Sequence, residues 1–220
     1  VKGASKGEGL GNKFLANIRN TNAIIHVLRC FENDNITHVD GSIDPVRDKG
    51  IIDTELQLKD LETIENRLAK TQKQAVVGGD KQAKRAVEIL LQYKAVLEQG
   101  LSARTVELEK EDRKLVADLN LLTDKPVLYV CNVDERSAAT GNAYTEAVRA
   151  AIADERAEML VIAAATEADI AELEEYDERQ MFLEEIGLQE SGVARLIKSA
   201  YKLLDLQTFF TTGADETRAW

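Results

Sequence analysis

The chain has 220 residues, of which 44% are hydrophobic, so it is long enough to bury the core of one large domain and too apolar for a disordered tail. With only two prolines and 30% charged residues, its composition favours a largely helical or α/β protein over a β-sandwich or a β-barrel. Its formal net charge of −11 argues against sequence-specific DNA binding and against nucleic-acid binding by charge alone, because phosphates are held by clustered Lys and Arg.

The cysteines and the apolar runs predict the compartment. Cys30 and Cys131 each lie in an apolar run outside any metal-spaced cluster, so both are expected to pack as small hydrophobic side chains. This usage predicts no disulfide framework and a reducing, cytoplasmic location. No stretch of about 18 apolar residues occurs, so no membrane span is expected. Because the chain starts at Val1 and its first residues look like the middle of a protein, we expect a fragment.

The opening segment is rich in glycine and then becomes helical. Gly3, Gly7, Gly9 and Gly11 fall within one short polar stretch, which suits either a phosphate-proximal switch loop or a flexible linker. A helix follows, and residues 23–31 (AIIHVLRCF) are apolar and β-branched enough to predict a strand that is buried on both faces.

The next segment predicts an antiparallel helical hairpin. Helices are expected over about residues 53–74 and 81–99, with a tip at Gly78-Gly79. The predicted apolar seam consists of Leu58, Leu61 and Leu68 on the first helix, and of Val87, Leu90, Tyr93 or Lys94, and Leu97 on the second. A narrow seam among many charges indicates a hairpin domain, residues 51–122, that projects from the body. The alternative is two ordinary surface helices.

The remaining elements alternate between helix and strand. After a third helix near residues 109–122, we predict a strand from Val127, a helix over 142–155, a strand over 159–163, and helices over 166–185 and 193–204. This alternation predicts an α/β fold with a parallel sheet, formed by residues 1–50 and 123–206, into which the hairpin is inserted. Residues 207–220 look like the first strand and turn of another module.

One strand delivers polar side chains to its exposed end. In PVLYVCNVDE, an apolar run ends in Asn132 and is followed by Glu135. Ligands of open parallel sheets bind beyond the carboxyl ends of the strands. Asn132 could hold a purine edge and tie neighbouring loops together, while Glu135 could accept hydrogen bonds from base amino and imino groups. The alternative is that both residues cap the next helix or face solvent.

Several long stretches carry a family resemblance. VKGASKGEGLGNKFL looks like the second switch of Obg-type GTPases, and FENDNITHV, DTELQLKDLE, GGDK and YKLLDLQTFFTTGADETRAW look like the YchF branch, the Obg-like ATPases. Together with the order of the elements, the chain resembles an Obg-family P-loop NTPase of this branch over essentially its whole length.

The resemblance implies a nucleotide site. The usual N-K-x-D element is replaced by N-x-x-E, which implies that ATP is hydrolysed in preference to GTP, as a regulatory switch, with Asn132, Val133 and Glu135 at the base. The loop over residues 163–165 matches the element whose backbone amides close over the base, so Ala164 and Ala165 are assigned there. The four glycines at 3, 7, 9 and 11 would form the second switch region. Mg²⁺ would accompany ATP, with no ligand in this chain.

The phosphate-binding half of such a site is absent from the sequence. No G-x-x-x-x-G-K-[S/T] occurs, so the chain alone is expected to be inactive, with its catalytic residues unknown. The resemblance also implies association with ribosomes or translation factors, and residues 207–220 would begin a TGS module. A basic group near the hairpin tip, formed by Lys70, Lys73, Lys81, Lys84 and Arg85, could contact RNA or be a solvated face. The competing hypothesis is a non-enzymatic interaction module that acts through the hairpin.

Overall fold

The computed structural model describes Gly3 and residues 11–77, 80–155 and 157–220, with the side chain of Val77 excepted. Its centre is a three-stranded parallel sheet in the order β1 (Ile24–Arg29), β2 (Val127–Asn132) and β3 (Glu158–Ile162). Ile24 pairs with Val127, and Leu128 pairs with Glu158. The predicted α/β fold with a parallel sheet is therefore confirmed.

Helices cover both faces of the central strand, because its side chains alternate in direction. Tyr129 and Cys131 of β2 pack in one buried cluster with Val148, which lies on α5 (Ala143–Ala151). Leu128 and Val130 pack on the other side, against α8 (Gly192–Leu203). Continuous apolar sequence is what a parallel strand buried on both faces requires.

The two cysteines behave as predicted. Cys30 and Cys131 are both fully buried and are free thiols. The hydrogen bond between the two thiols, together with burial, raises the pKa of Cys30. Both therefore contribute to the core beside β2 as small apolar groups.

The prediction that β1 is buried on both faces was wrong. Ile25 is 45% exposed and Val27 is 62% exposed, whereas Leu28 is buried. Among the described residues β1 has only one neighbouring strand, β2, so it lies at an edge of the sheet. No described element covers the face that carries Ile25 and Val27.

The hairpin consists of α2 (Pro45–Val77) and α3 (Lys81–Glu98). Two contacts show that the helices are antiparallel. Gln57 donates to the carbonyl of Gly100, just after α3, and Glu65, farther along α2, pairs with Lys94, which lies earlier in the sequence than Gly100. The hairpin core is a buried cluster that includes Ile64, Leu68, Ile89, Leu90, Tyr93 and Leu97. The predicted tip, Gly78-Gly79, lies outside the described residues.

Two details of the hairpin differ from the sequence prediction. Leu58 is 43% exposed and is not part of the buried hairpin cluster, which includes Ile64, a residue that the predicted seam left out. The first helix begins at Pro45, eight residues before the predicted start at 53, and therefore crosses the predicted domain boundary at residues 50/51. Proline favours the first position of a helix, where its missing N–H is not needed. The division into domains itself stays a prediction.

Two predicted helices are broken. In place of one helix over 109–122, the structure has α4 (Lys110–Lys114) and a 3₁₀ turn (Ala117–Leu119), and the left-handed Asn120, with φ 45°, ends that turn. In place of one helix over 166–185, it has α6 (Ala164–Glu172) and α7 (Tyr176–Glu185). Leu173 and Glu175 are extended between them, and Arg179 donates to the carbonyl of Leu173, which fixes this break.

The other elements agree with the pattern in the sequence. Helix α1 (Gly11–Arg19) precedes β1, and an antiparallel pair, β4 (Phe210–Thr212) and β5 (Thr217–Ala219), ends the chain with its side chains exposed. That this pair begins a TGS module stays a prediction. Within the described part of the chain, no helix is long and apolar enough to cross a membrane.

Candidate nucleotide-base site

The carboxyl ends of β2 and β3 are joined by an asparagine side chain. Asn132 ends β2, and its Oδ1 accepts a hydrogen bond of 2.9 Å from the backbone N–H of Ala164, the first residue of α6. Next to it, the N–H of Val133 donates to the carbonyl of Ile162 at 2.9 Å. The strand end and the start of the following helix are thus tied together where a parallel sheet binds its ligands.

This hydrogen bond engages Oδ1 of Asn132 and leaves the Nδ2 group of the same amide available to a ligand. The Nδ2 of Asn132 has no hydrogen-bond partner among the described residues, and the side chain is partly exposed. It can therefore donate to an acceptor atom of a ligand. Val133 differs, because the whole residue is only 3% exposed, its side chain packs in the core beside β2, and its N–H is taken by Ile162.

Glu135 lies in a turn with defined geometry. Asp134 caps this turn, since its Oδ1 accepts from the N–H of Ser137 at 2.9 Å. Glu135 begins the 3₁₀ turn Glu135–Ser137, is exposed, and makes no ion pair or hydrogen bond with its side chain in the described part of the chain. Its carboxylate is consequently free to accept hydrogen bonds.

Asn142, which the sequence analysis did not single out, fixes the other end of this loop. It caps α5, with Oδ1 accepting from Tyr144 and Thr145, while its Nδ2 donates to the carbonyl of Cys30 at 2.7 Å. The N–H of Cys30 donates in turn to the carbonyl of Asn132 at 2.7 Å. An Asn just before a helix is a recognisable cap. Its bond to Cys30 depends on the pairing of β1 with β2 and leaves no local signal.

Gly141, immediately before Asn142, has a required conformation. Its φ is +76°, and a Cβ atom there would lie 2.4 Å from Oγ1 of Thr145. A side chain would therefore be strained by the backbone and would also collide with the capping box of α5.

The second predicted group, Ala164 and Ala165, lies exposed in the first turn of α6. The N–H groups of a first turn have no partner within the helix and attract acceptors. That of Ala164 is taken by Asn132. The predicted site residues Asn132 and Ala164 are thus brought together, and no contact between Glu135 and either of them is seen among the described residues.

The predicted second switch region is described only in part. Gly3 has φ 79° and donates from its backbone to the Oε1 of Glu55 on α2 at 2.5 Å. Gly11 is the first residue of α1. Gly7 and Gly9 lie outside the described residues, so the role of this region stays a prediction.

The basic group near the hairpin tip is partly neutralised. Arg85 pairs with Asp112 at 2.6 Å and with Glu88 at 2.7 Å, and its contact lowers the pKa of Asp112. Lys70, Lys73, Lys81 and Lys84 are exposed and have no ion pair within the described residues. RNA contact by this group stays a prediction.

One cluster of the described residues has the spacing of a metal site. His38, Asp40 and Asp48 bring their ligand atoms within 4.8 Å of one another. However, Nε2 of His38 is bonded to Asp48 at 2.8 Å, and its Nδ1 accepts from the N–H of Asp40. Arg47 also holds Asp48, at 2.9 Å. These engaged ligands do not suit Mg²⁺, which requires an open set of oxygen atoms, and we assign no Mg²⁺ ligand among the described residues.

Comparisons with known proteins show which proteins the chain resembles. The chain is 52% identical to the ribosome-binding ATPase YchF of Bacillus subtilis and 49% identical to that of Escherichia coli O157:H7, with all of the chain aligned. The YchF GTPase of Schizosaccharomyces pombe has the same fold, with a TM-score of 0.85 and 31% identity over the whole chain. No protein-family model matches the chain.

In each of these comparisons the chain spans 60% of the length of the relative. The similarity covers the hairpin, the sheet and the C-terminal strand pair, because all 220 residues of the chain align. Along its whole length, the chain is therefore homologous to YchF, a P-loop NTPase of the Obg family.

Proposed function

We propose that the chain provides the base-recognition part of an NTPase that binds and hydrolyses ATP in preference to GTP and acts as a regulatory switch linked to the ribosome. The observation that carries this proposal is the bond between Asn132 and the N–H of Ala164 at the ends of two adjacent parallel strands. The names of the relatives, a ribosome-binding ATPase and a GTPase, support the activity and the partner.

The proposed preference for ATP is assigned to the two free polar groups at the strand end. With Oδ1 engaged, Asn132 presents its Nδ2 as a donor to a ring nitrogen of either purine, so the discrimination is assigned to Glu135. Guanine offers two adjacent N–H donors that a short carboxylate reads best. Glu135 is longer than Asp by one methylene and is exposed, so it holds that pair of donors less well.

Hydrolysis requires groups that the sequence does not contain. No G-x-x-x-x-G-K-[S/T] occurs in the 220 residues, and such a loop holds the β- and γ-phosphates and the metal ion in P-loop NTPases. The proposal therefore assigns to this chain the binding of the base and assigns to a P-loop segment the phosphates and Mg²⁺. We expect no nucleotide turnover by the chain alone.

A chimera tests the proposal. The chain replaces the matching 60% of the Bacillus subtilis relative, and ATP and GTP are titrated and their hydrolysis is followed. We expect ATP to bind more tightly than GTP. Asn132→Ala should weaken ATP binding by about tenfold, because it removes the donor and the tie to α6. Glu135→Asp should shift the preference toward GTP.

Glu146→Asp is the matched control, since Glu146 is exposed and its one ion pair within the described residues is with Arg149, so the change should leave both affinities unchanged. Equal affinities for ATP and GTP in every variant would contradict the assignment of the base site. A chimera that folds and binds no nucleotide would favour the competing function, a helical interaction module.

A further inference from the structure

An open apolar cleft lies between α6, α7 and α8, away from the residues assigned to the base. Its volume is about 420 Å³. Ile170 and Leu183 form a buried floor, and Ala194 and Val193 of α8 form one wall. Tyr176, the first residue of α7, stands at its edge.

The walls of this cleft expose apolar surface. Tyr176 is 70% exposed, Val193 is 50% exposed, and Met181 of the neighbouring α7 surface is 70% exposed. Apolar patches with a polar rim mark interaction sites more often than they mark ordinary surface. The cleft therefore offers room for the apolar side chains of a partner.

The helices that form the cleft carry an excess of negative charge outside its lining. Of the two carboxylates that line the cleft, Glu167 accepts from the N–H groups at the start of α8, and Glu190 pairs with Lys198. On α6, on α7 and on the link between them, eight exposed carboxylates form no ion pair within the described chain: Asp169, Glu172, Glu174, Glu175, Asp177, Glu178, Glu184 and Glu185. The one basic side chain in this segment, Arg179, donates to the carbonyls of Leu173 and Glu174. It forms no ion pair with these carboxylates among the described residues and offsets only one of their eight charges.

Several acidic residues of the hairpin and of α4 differ from these. Glu65 and Glu88 of the hairpin and Asp112 of α4 each pair with a Lys or Arg of the chain. The helices α6 and α7 and their link thus carry a group of unpaired carboxylates, and the field of such a group attracts cations and repels anions.

We propose that this cleft binds a basic, amphipathic segment of a partner protein, with apolar side chains in the cleft and Lys or Arg side chains against the carboxylates of α6 and α7. Charge decides between the possible occupants. Nucleic acid would bring phosphates against the carboxylates, and a second copy of this face would bring like charges together. A basic helix with apolar residues at one-turn spacing satisfies both the cleft and its rim.

This inference does not rest on the proposed nucleotide function. It uses α6 beyond its first turn, α7 and the start of α8, whereas the base site uses Asn132, Glu135 and the first turn of α6. A failure of one proposal therefore leaves the other intact.

The test is a binding assay with a fluorescein-labelled peptide that is rich in Lys and Arg and carries two Leu side chains one helical turn apart. We expect the 220-residue chain to bind this peptide with an affinity that falls as salt is added. The quadruple variant Glu172→Gln, Glu174→Gln, Glu175→Gln, Glu178→Gln should weaken binding by about tenfold. Val193→Ser with Tyr176→Ser should weaken it similarly, because the apolar wall is lost.

Controls match both changes. Glu62→Gln, Glu98→Gln, Glu109→Gln, Glu146→Gln gives the same net charge at distant exposed sites and should change the affinity by less than about twofold. Val39→Ser, at a side chain that is 96% exposed, controls for the truncations. A version of the peptide with Ser for Leu should bind more weakly than the original.

Three results would overturn the proposal. The first is an equal loss of affinity in the cleft quadruple variant and in the control quadruple variant, which would show that the net charge of the chain alone determines peptide binding. The second is tighter binding of an RNA duplex than of the peptide, abolished by the cleft variants. The third is a stable dimer of the chain, measured by light scattering, that the peptide does not disrupt and that Val193→Ser with Tyr176→Ser dissociates.

Discussion

At the scale of single residues, Asn142 shows how one side chain fixes a loop at two points. Its Oδ1 holds the first turn of α5, and its Nδ2 holds the carbonyl of Cys30 at the end of β1. Cys30 in turn bonds to the backbone of Asn132. The loop that carries Glu135 is therefore closed by a short chain of hydrogen bonds that reaches Asn132.

Asn142→Asp separates the two roles, because Asp also caps helices but cannot donate to Cys30. The new carboxylate would face a carbonyl that has lost a 2.7 Å hydrogen bond. We expect the free energy of unfolding to fall by about 1–3 kcal/mol, measured by urea denaturation with circular dichroism. Ser191→Asp, at the cap of α8, should change it by less than about 0.5 kcal/mol, because the Ser191 side chain bonds to nothing but the cap N–H within the described residues. Equal effects would show that Asn142 acts as a cap alone.

Sequence could predict the position of Asn132, but not its partner. The end of an apolar run marks the end of a buried strand, so the first polar residue falls at the ligand edge of the sheet. The bond to Ala164 depends on β3 lying directly beside β2, a pairing across 32 residues of sequence. Glu135 was likewise placed correctly after the strand, whereas the burial of the Val133 side chain depends on packing.

At the scale of elements, local pattern predicted which segments are helical better than where each helix ends. The acidic run over 166–185 has strong helix formers throughout, yet Leu173 and Glu175 are extended. Arg179 holds the break through the carbonyl of Leu173, a contact that helix propensity does not contain. The burial pattern of the hairpin, by contrast, was largely predicted, because a two-helix seam repeats along the sequence.

The seam allows a sharp test with two adjacent leucines of α3. Leu90 is fully buried in the hairpin core, whereas Leu91 is 47% exposed. Leu90→Ala should lower the free energy of unfolding by about 2–5 kcal/mol, since it removes buried methyl groups and leaves a cavity. Leu91→Ala, in the same helix, should cost less than about 1 kcal/mol. Chemical denaturation of both variants is the measurement, and a similar loss in both would contradict the seam.

At the scale of the whole molecule, α2 is the element that joins the hairpin to the sheet. Near its start, Lys49 pairs with Asp53 at 2.6 Å and with Glu155, which follows α5, and lies 5.2 Å from the ring centre of Tyr129 on β2. Burial opposes the charge of Lys49, but these two carboxylates raise its pKa overall. The start of α2 is thus fixed to the α/β part of the chain, and the rest of the helix continues into the hairpin.

A second anchor lies farther along α2, at Asp60. This carboxylate is fully buried and accepts from the N–H of Leu122 at 2.8 Å, and from both the N–H and the hydroxyl of Thr123, at 2.7 and 2.8 Å. Leu122 and Thr123 belong to the segment that returns from the hairpin to β2. Burial raises the pKa of Asp60, although these hydrogen bonds act in the opposite direction. The two chain segments that connect hairpin and body are therefore fastened to each other by one side chain.

Asp60→Asn tests whether this fastening joins the two parts into one cooperative unit. The amide keeps the shape of the carboxylate but turns one acceptor into a donor, so one of the two backbone N–H groups at Leu122 and Thr123 loses its partner. We expect the free energy of unfolding to fall by about 1–3 kcal/mol, with faster hydrogen exchange at these two amides.

The matched change Asp118→Asn removes an exposed carboxylate that pairs with Arg67, so it should cost less than about 1 kcal/mol and leave both amides protected. If Asp60→Asn instead left the exchange of Leu122 and Thr123 unchanged, the joint would be held by packing around Leu122, which is itself buried against Leu15 and Leu56. If the exchange at these amides rises by more than the loss of global stability explains, this joint opens before the two cores unfold, and Asp60 is the group that keeps it closed.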